Sequence, residues 1–374
     1  MSYSSFYKRL GIALALGAGQ PSMAAEIANN FETARVTARG GTYVAAPESE
    51  QSARFNPATL AGSPHSFQFR PLEINLSLSS NVIDTISDLV GDAGTGGDEA
   101  GPFLDILDKF NDKYGKRHLG RLDLIPFATR IGPVEVMPFV TSISFLEARQ
   151  PSIPELYINT DNRAGVMLAT GFSLLKNFEV GMSVKPTHRW LIRGEMAVTD
   201  ILDLSEGAKF EDYSETSYGF GVGVDLAAVW KPTNTFRLAM IVENIGDMAS
   251  LGDQTDQPPP IQQKISTGFW YRYAMKAGWN LDINGDWQDM VNRNGYNILR
   301  QTHMGMELGR SLFTKDHDVG FLIGLGQGYP SWGAFMDLWL FRLEISQFTR
   351  ELGSIPGQRP DKRYHATIRT SMAF

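Results

Sequence analysis

The residues best suited to bind a metal or move a proton are six histidines, at positions 65, 118, 188, 303, 317 and 365, and their separations fit no metal-ligand spacing. Asp282-Ile283-Asn284-Gly285-Asp286 opens like a calcium loop. Trp287 then occupies the position that needs glycine, and no glutamate closes the motif. There is no Gly-x-Ser-x-Gly nucleophile elbow and no Walker loop. Cysteine is absent, which removes thiol nucleophiles, cysteine-metal sites and disulfide frameworks, and suits an oxidising compartment. His303 or His365 beside a lumenal serine is the one catalytic pairing left open. The expectation is a chain that is not an enzyme and has no catalytic residue, metal or cofactor.

What the chain does carry is alternation. From Trp279 to Gln288, Trp279, Leu281, Ile283 and Trp287 fall on one face and Asn280, Asp282, Asn284, Asp286 and Gln288 on the other. A strand separates these two sets and a helix does not. Leu72 to Ser79, Phe178 to Lys185, Tyr218 to Leu226, Phe341 to Ser346 and Tyr364 to Phe374 repeat the pattern. A membrane-spanning barrel needs it, because every backbone group must pair between strands while side chains turn alternately to lipid and lumen. Past the N-terminus no apolar run approaches the roughly 20 residues of a spanning helix.

Strands are expected near 66–80, 120–131, 133–149, 156–173, 177–192, 216–230, 235–243, 262–275, 278–289, 300–312, 316–326, 331–338, 340–350 and 362–374, about fourteen in all. Short connections at Gly132-Pro133, Leu175 to Asn177, Lys231 to Asn234, Lys276-Ala277 and Phe313 to Lys315 alternate with longer ones, notably 81–118, 193–215, 244–261 and 351–361. Short turns at one end and long loops at the other suit an outer-membrane barrel with periplasmic turns and external loops. The fold class is therefore all-β: a transmembrane antiparallel up-and-down barrel with an N-terminal lumenal plug, in the outer membrane of a Gram-negative-type bacterium.

Three regions follow. Residues 1–24 read as a signal peptide, with Lys8 and Arg9 before the apolar Leu10 to Ala18, and Ser22 and Ala24 as the small residues of a cleavage site. Residues 25–65 read as a hatch, because the interior of so wide a barrel exceeds what side chains fill. Residues 66–374 form the barrel, with 81–118 as a long helical external loop. In that loop Asn81 is placed to cap a helix carrying Val82, Ile83, Ile86 and Leu89, and Pro102 to open another carrying Phe103, Leu104, Leu107 and Phe110. Those apolar faces either admit a hydrophobic ligand at the barrel mouth or lean on the rim. Lumen-facing charges are expected at Glu73, Glu179, Lys185, Asp225, Arg237, Glu243, Asp282, Asp286, Glu307, Asp337, Arg342, Glu344 and Arg369, where mixed signs form ion pairs that hold a plug.

The stretch Arg39-Gly40-Gly41-Thr42-Tyr43-Val44-Ala45, followed by Ala53-Arg54-Phe55-Asn56-Pro57-Ala58-Thr59-Leu60-Ala61, resembles the hatch of the long-chain fatty acid transporter (FadL-like) superfamily. Gly324 to Pro330, Asp337 to Trp339, Glu351 to Gly353 and Gly357 to Arg363 are similar to its PorV-like branch. The resemblance implies a fourteen-stranded barrel with a lumenal hatch. It implies passive uptake of hydrophobic compounds such as long-chain fatty acids, or a scaffold for a secretion or conjugation apparatus. Gly40, Gly41, Asn56 and Pro57 are then plug residues, with Asn56-Pro57 a rigid corner seating the plug under the first strand. A terminal Phe374 after an alternating Tyr-containing face resembles the signal read by barrel-assembly machinery. Expected partners are outer-membrane lipid, a hydrophobic small molecule, that machinery and a secretion-system protein. The net charge of -7 argues against nucleic acid.

Overall fold

Alternation becomes strands because each inward polar and outward apolar set is satisfied only in a closed sheet. The structure, a computed structural model, describes residues 31–46, 52–62, 67–85, 115–149, 155–197, 200, 213–251, 256–311, 318–338, 340–353, 355–370 and 372–373. Eighteen hydrogen-bonded segments make one sheet. Four of them continue a preceding segment across a break, leaving a closed antiparallel barrel of fourteen strands.

These are β1 (Phe67–Arg70 and Glu73–Ser79), β2 (Arg117–Ile125 and Ala128–Ile131), β3 (Val134–Arg149), β4 (Glu155–Leu175) and β5 (Phe178–Ala197). Next come β6 (Ser214–Thr233), β7 (Phe236–Glu243 and Ser250–Leu251), β8 (Lys264–Ala274), β9 (Trp279–Trp287) and β10 (Thr302–Ser311). The circuit ends with β11 (Asp318–Gly326), β12 (Tyr329–Leu338), β13 (Phe341–Glu351) and β14 (Pro360–Thr370 and Met372–Ala373). It closes where β14 pairs with β1, from Arg363 opposite Ser79 to Arg369 opposite Glu73. Pro71 and Pro126 interrupt β1 and β2, since proline has no N–H to give the ladder.

The faces fall as the alternation requires. On β14, Asp361, Arg363, His365, Thr367 and Arg369 are buried, while Lys362, Tyr364, Ala366 and Ile368 are exposed to the membrane side. Of the thirteen expected lumenal charges, ten are buried and Arg237, Asp337 and Arg342 are partly so. Two-residue turns at Gly132-Pro133, Lys176-Asn177 and Asn234-Thr235 mark one end. The last is shorter than expected, because β6 continues through Lys231 to Thr233. The long connections lie at the other end, where Gln327-Gly328 is an exception: a tight turn with φ of 56° and 87°. Strands β4, β5 and β6 run to 21, 20 and 20 residues, against about 9–11 needed to cross a bilayer.

The described part of residues 25–65 lies inside the barrel. It comprises α1 (Ala34–Ala38), α2 (Ser52–Phe55) and a 3₁₀ turn (Pro57–Gly62). Thr33 caps α1 by accepting from the Val36 N–H. Phe31, Val36, Tyr43, Val44, Phe55 and Leu60 pack with Met137, Phe139, Met167, Val229, Ile241 and Trp270 of the wall in one apolar cluster. The expected signal segment, 1–24, lies outside the described residues.

Candidate functional site: a hatch held in the lumen

The hatch reaches the wall through missing side chains. At Gly40 and Gly41 the chain turns with φ of 72° and 90°, a conformation that favours glycine. The turn presses backbone to backbone on the wall: a Cβ added to Gly324 of β11 would lie 2.1 Å from the Gly40 nitrogen. One on Gly305 of β10 would lie 2.4 Å from the Arg39 oxygen, and one on Gly333 of β12 2.6 Å from the Ala38 Cβ. Across the lumen Gly171 of β4 and Gly181 of β5 make the same room for Pro57, whose oxygen would lie 2.7 Å and 2.5 Å from such atoms. Where the hatch comes closest, the wall has glycine.

Close approach lets wall side chains bond the hatch backbone. Asp286 of β9 accepts from the N–H groups of Tyr43 and Val44 at 2.6 and 3.1 Å. Gln288 donates to the Gly41 carbonyl at 2.7 Å, and His303 Nδ1 lies 2.5 Å from the Gly40 carbonyl. Ser331 accepts from the Gly40 N–H at 3.0 Å and donates to the Ala38 carbonyl at 2.9 Å. Thr367 and Glu344 accept from the N–H groups of Ala34 and Arg35. The Tyr43 hydroxyl donates to Glu243 at 2.8 Å. Burial, and then the adjacent Glu243 carboxylate, raise that hydroxyl well above the ordinary phenol range, so it remains a donor.

Ion pairs make the second layer of contact. Arg54 of α2 meets Glu73 of β1 through two bonds of 2.7 and 2.8 Å, both side chains buried. Arg35 and Arg39 share Glu307 of β10, and Glu32 lies between Arg350 and Arg121 of the wall. Opposite charges buried together are stable only while both partners stay. All these contacts are non-covalent.

Gly40, Gly41, Asn56 and Pro57 of the expected plug all lie in the lumen. Asn56 forms the rigid corner by donating to the Val44 carbonyl at 2.6 Å and accepting from the Ala58 N–H at 3.0 Å. Its place differs from the expectation: the corner packs on β4 and β5, and it is Arg54 that reaches the first strand. A flat turn of this kind needs a glycine-lined surface, which Gly171 and Gly181 provide. His303 bonds the hatch backbone, and His365 Nδ1 lies 3.4 Å from Thr37 Oγ1, itself 2.7 Å from Ser346 Oγ. The serine-histidine pairing left open by the sequence is thus a hatch contact.

Of the apolar loop residues, Val82 and Ile83 are helical in the described residues 80–85, and that helix begins one residue before the expected cap. Asn81 does not cap it; its side chain donates to the Arg117 carbonyl at 2.9 Å. Ile83 leans on the outer wall beside Leu78 and Tyr364. Ile86, Leu89, Phe103, Leu104, Leu107 and Phe110 lie outside the described residues, as does Phe374. Sequence reasoning missed Gln288 and Ser331 as hatch contacts. Gln288 carried a signal, as the next inward residue after Asp286, whereas Ser331 carried none.

Two lumenal cavities, one beside Gly40, Gly41 and Arg350 and one beneath Met248 and Ile261, measure about 10 and 20 Å³. A water needs about 10–15 Å³, so neither admits a larger ligand while the hatch stays seated.

No protein-family model matches the chain, and no curated protein does. Among solved structures it is similar to the TodX monoaromatic hydrocarbon channel deltaS2 mutant, with 12% identity and a TM-score of 0.50, over 92% of this chain and 99% of that chain. The deltaS2S3 mutant of that channel gives 11% and 0.50 over the same shares. The toluene transporter TbuX of Ralstonia pickettii gives 11% and 0.49, over 94% of this chain and 99% of that one. The likeness is one of fold. It sets this chain among closed antiparallel barrels of fourteen strands.

Proposed function

We propose that the protein is a passive, non-enzymatic outer-membrane conduit for hydrophobic compounds, in which displacement of the hatch admits the ligand. The observation that carries this reading is the hatch itself. It packs against the wall from inside the barrel, and among the described residues every contact holding it is a hydrogen bond, an ion pair or apolar packing that can break and reform. The barrels sharing the fold are described as hydrocarbon channels and toluene transporters. Long-chain fatty acids, to which the resemblance of the hatch points, are the finer form of the same proposal.

The absence of cysteine allows a direct test. Thr37 Oγ1 and Ser346 Oγ are 2.7 Å apart, so Thr37→Cys with Ser346→Cys places two sulfurs where they can bond. Uptake of toluene and of oleate is measured in a deletion strain carrying the double variant. Uptake that falls on oxidation and returns on reduction supports the conduit. Uptake of both compounds unaffected by a closed disulfide rejects it.

A second reading, a non-transporting scaffold for a secretion or conjugation apparatus, draws on the PorV-like similarity of the C-terminal part. Co-purification of a stable protein partner, with uptake unchanged by gene deletion, favours it.

A further inference from the structure

The outer wall has a depression near its loop end, separate from the lumen. It measures about 280 Å³ and is lined by Leu76, Leu78, Ile83, Trp332, Ile345 and Tyr364. Its shape follows from the register of four strands. One row runs from Leu78 of β1 through Tyr364 and Gln347 to Trp332 of β12. The row below it, toward the turn end, runs from Leu76 through Ala366 and Ile345 to Ala334. The small Ala366 between large neighbours sinks the floor, and Ile83 of the helical turn leans over one side.

One outward position nearer the loop end on β14 is Lys362, opposite Thr349. Its side chain is exposed, its Nζ lies 5.4 Å from the Tyr364 ring, and it has no carboxylate within ion-pair distance among the described residues. The groove is hydrocarbon-like. Its upper boundary carries Tyr364, Gln347, Thr349 and this cation, the residue types found where hydrocarbon gives way to headgroups. A lysine on the membrane-facing wall with no protein counter-ion is stabilised by an anion at that depth.

We propose that this groove is a binding site for a phosphate-bearing acyl lipid, with the phosphate on Lys362 and an acyl chain over Ala366 between Tyr364, Ile345 and Leu76. The site does not rest on the conduit reading, since it uses only the outer face. Its occupant is committed by two features together: an apolar slot continuous with the bilayer, and a single unpaired cation at its headgroup end.

The test uses the purified full chain in non-ionic detergent and native mass spectrometry. Phosphatidic acid is compared with diacylglycerol of the same chains, which differs only in lacking the phosphate. The wild type is expected to retain phosphatidic acid preferentially. Lys362→Gln reduces that preference about fivefold, the effect of about 1 kcal/mol per basic residue at a lipid surface, and leaves diacylglycerol retention unchanged. Ala366→Trp, which fills the floor, lowers retention of both lipids in protein that still shows the far-ultraviolet circular dichroism of the barrel. Wild-type retention of phosphatidic acid by either variant overturns the site. Competition by oleate equal to that of phosphatidic acid overturns the headgroup assignment.

Discussion

The Asp286 carboxylate accepts the backbone N–H of Tyr43 at 2.6 Å and that of its neighbour Val44 at 3.1 Å, so one wall side chain fixes two successive peptide units of the hatch. Both donors reach the same oxygen, Oδ2, whose lone pairs accept two N–H groups that the segment does not satisfy internally.

Replacing it tests how the hatch is held. Asp286→Ala strands two buried donors, each at a cost of about 1–3 kcal/mol. The expected result is a barrel that still folds, with faster protease cleavage between residues 31 and 62 and higher conductance in planar bilayers. Asp286→Asn keeps one oxygen able to accept both N–H groups but loses the charge that strengthens those bonds, and should fall between. Unchanged conductance and cleavage in the alanine variant would show that the other contacts suffice.

The glycine lining makes a second prediction. Gly324→Ala sets a Cβ where 2.1 Å separates it from the Gly40 nitrogen, while Gly309→Ala meets nothing closer than 3.8 Å. The first should sharply lower disulfide yield in the Thr37→Cys, Ser346→Cys background, and the second should leave it unchanged. Equal yields in both would refute close docking at Gly40.

The buried pair of Arg54 and Glu73 should couple. Arg54→Met removes the cation bonded to both Glu73 oxygens and leaves Arg369 and Arg70 beside it, and is expected to cost about 3–5 kcal/mol in urea unfolding from detergent. Adding Glu73→Gln should recover part of that loss, because the stranded charge is gone. Additive losses would mean that the pair contributes no coupling.

Register can be checked from the membrane side. Leu226 of β6 faces outward and is 49% exposed, opposite Met182 of β5. Leu226→Arg should destabilise the barrel by about 2–4 kcal/mol in lipid vesicles, the cost of a cation near the midplane. A cost near zero would place this residue at the lumen or the interface.

The barrel was legible in the sequence because its cause is local. Inward and outward residues must alternate, and breaks in the alternation at Gly132-Pro133 or Asn177 can only be turns, so each of the fourteen expected strands overlaps an observed one. The lumenal charges followed from the same period, down to Glu73, Asp286 and Glu307. Composition also set limits, since a chain without cysteine holds its hatch by reversible contacts alone.

The tertiary structure decided which wall residues meet the hatch. Residues 31–62 have no long periodic element, so their pose is set by the shape of the lumen and not by their own pattern. Gly305, Gly324 and Gly333 read in sequence as positions lacking a side chain, and only a backbone lying against them shows what the space is for. Arg54 took the first strand and Asn56-Pro57 the floor of β4 and β5 because the closed ring brings together walls far apart in the chain. Closure likewise set Lys362 one position above the groove that Leu78 and Trp332 help to line, an arrangement that exists only once β14 has paired with β1 and β13.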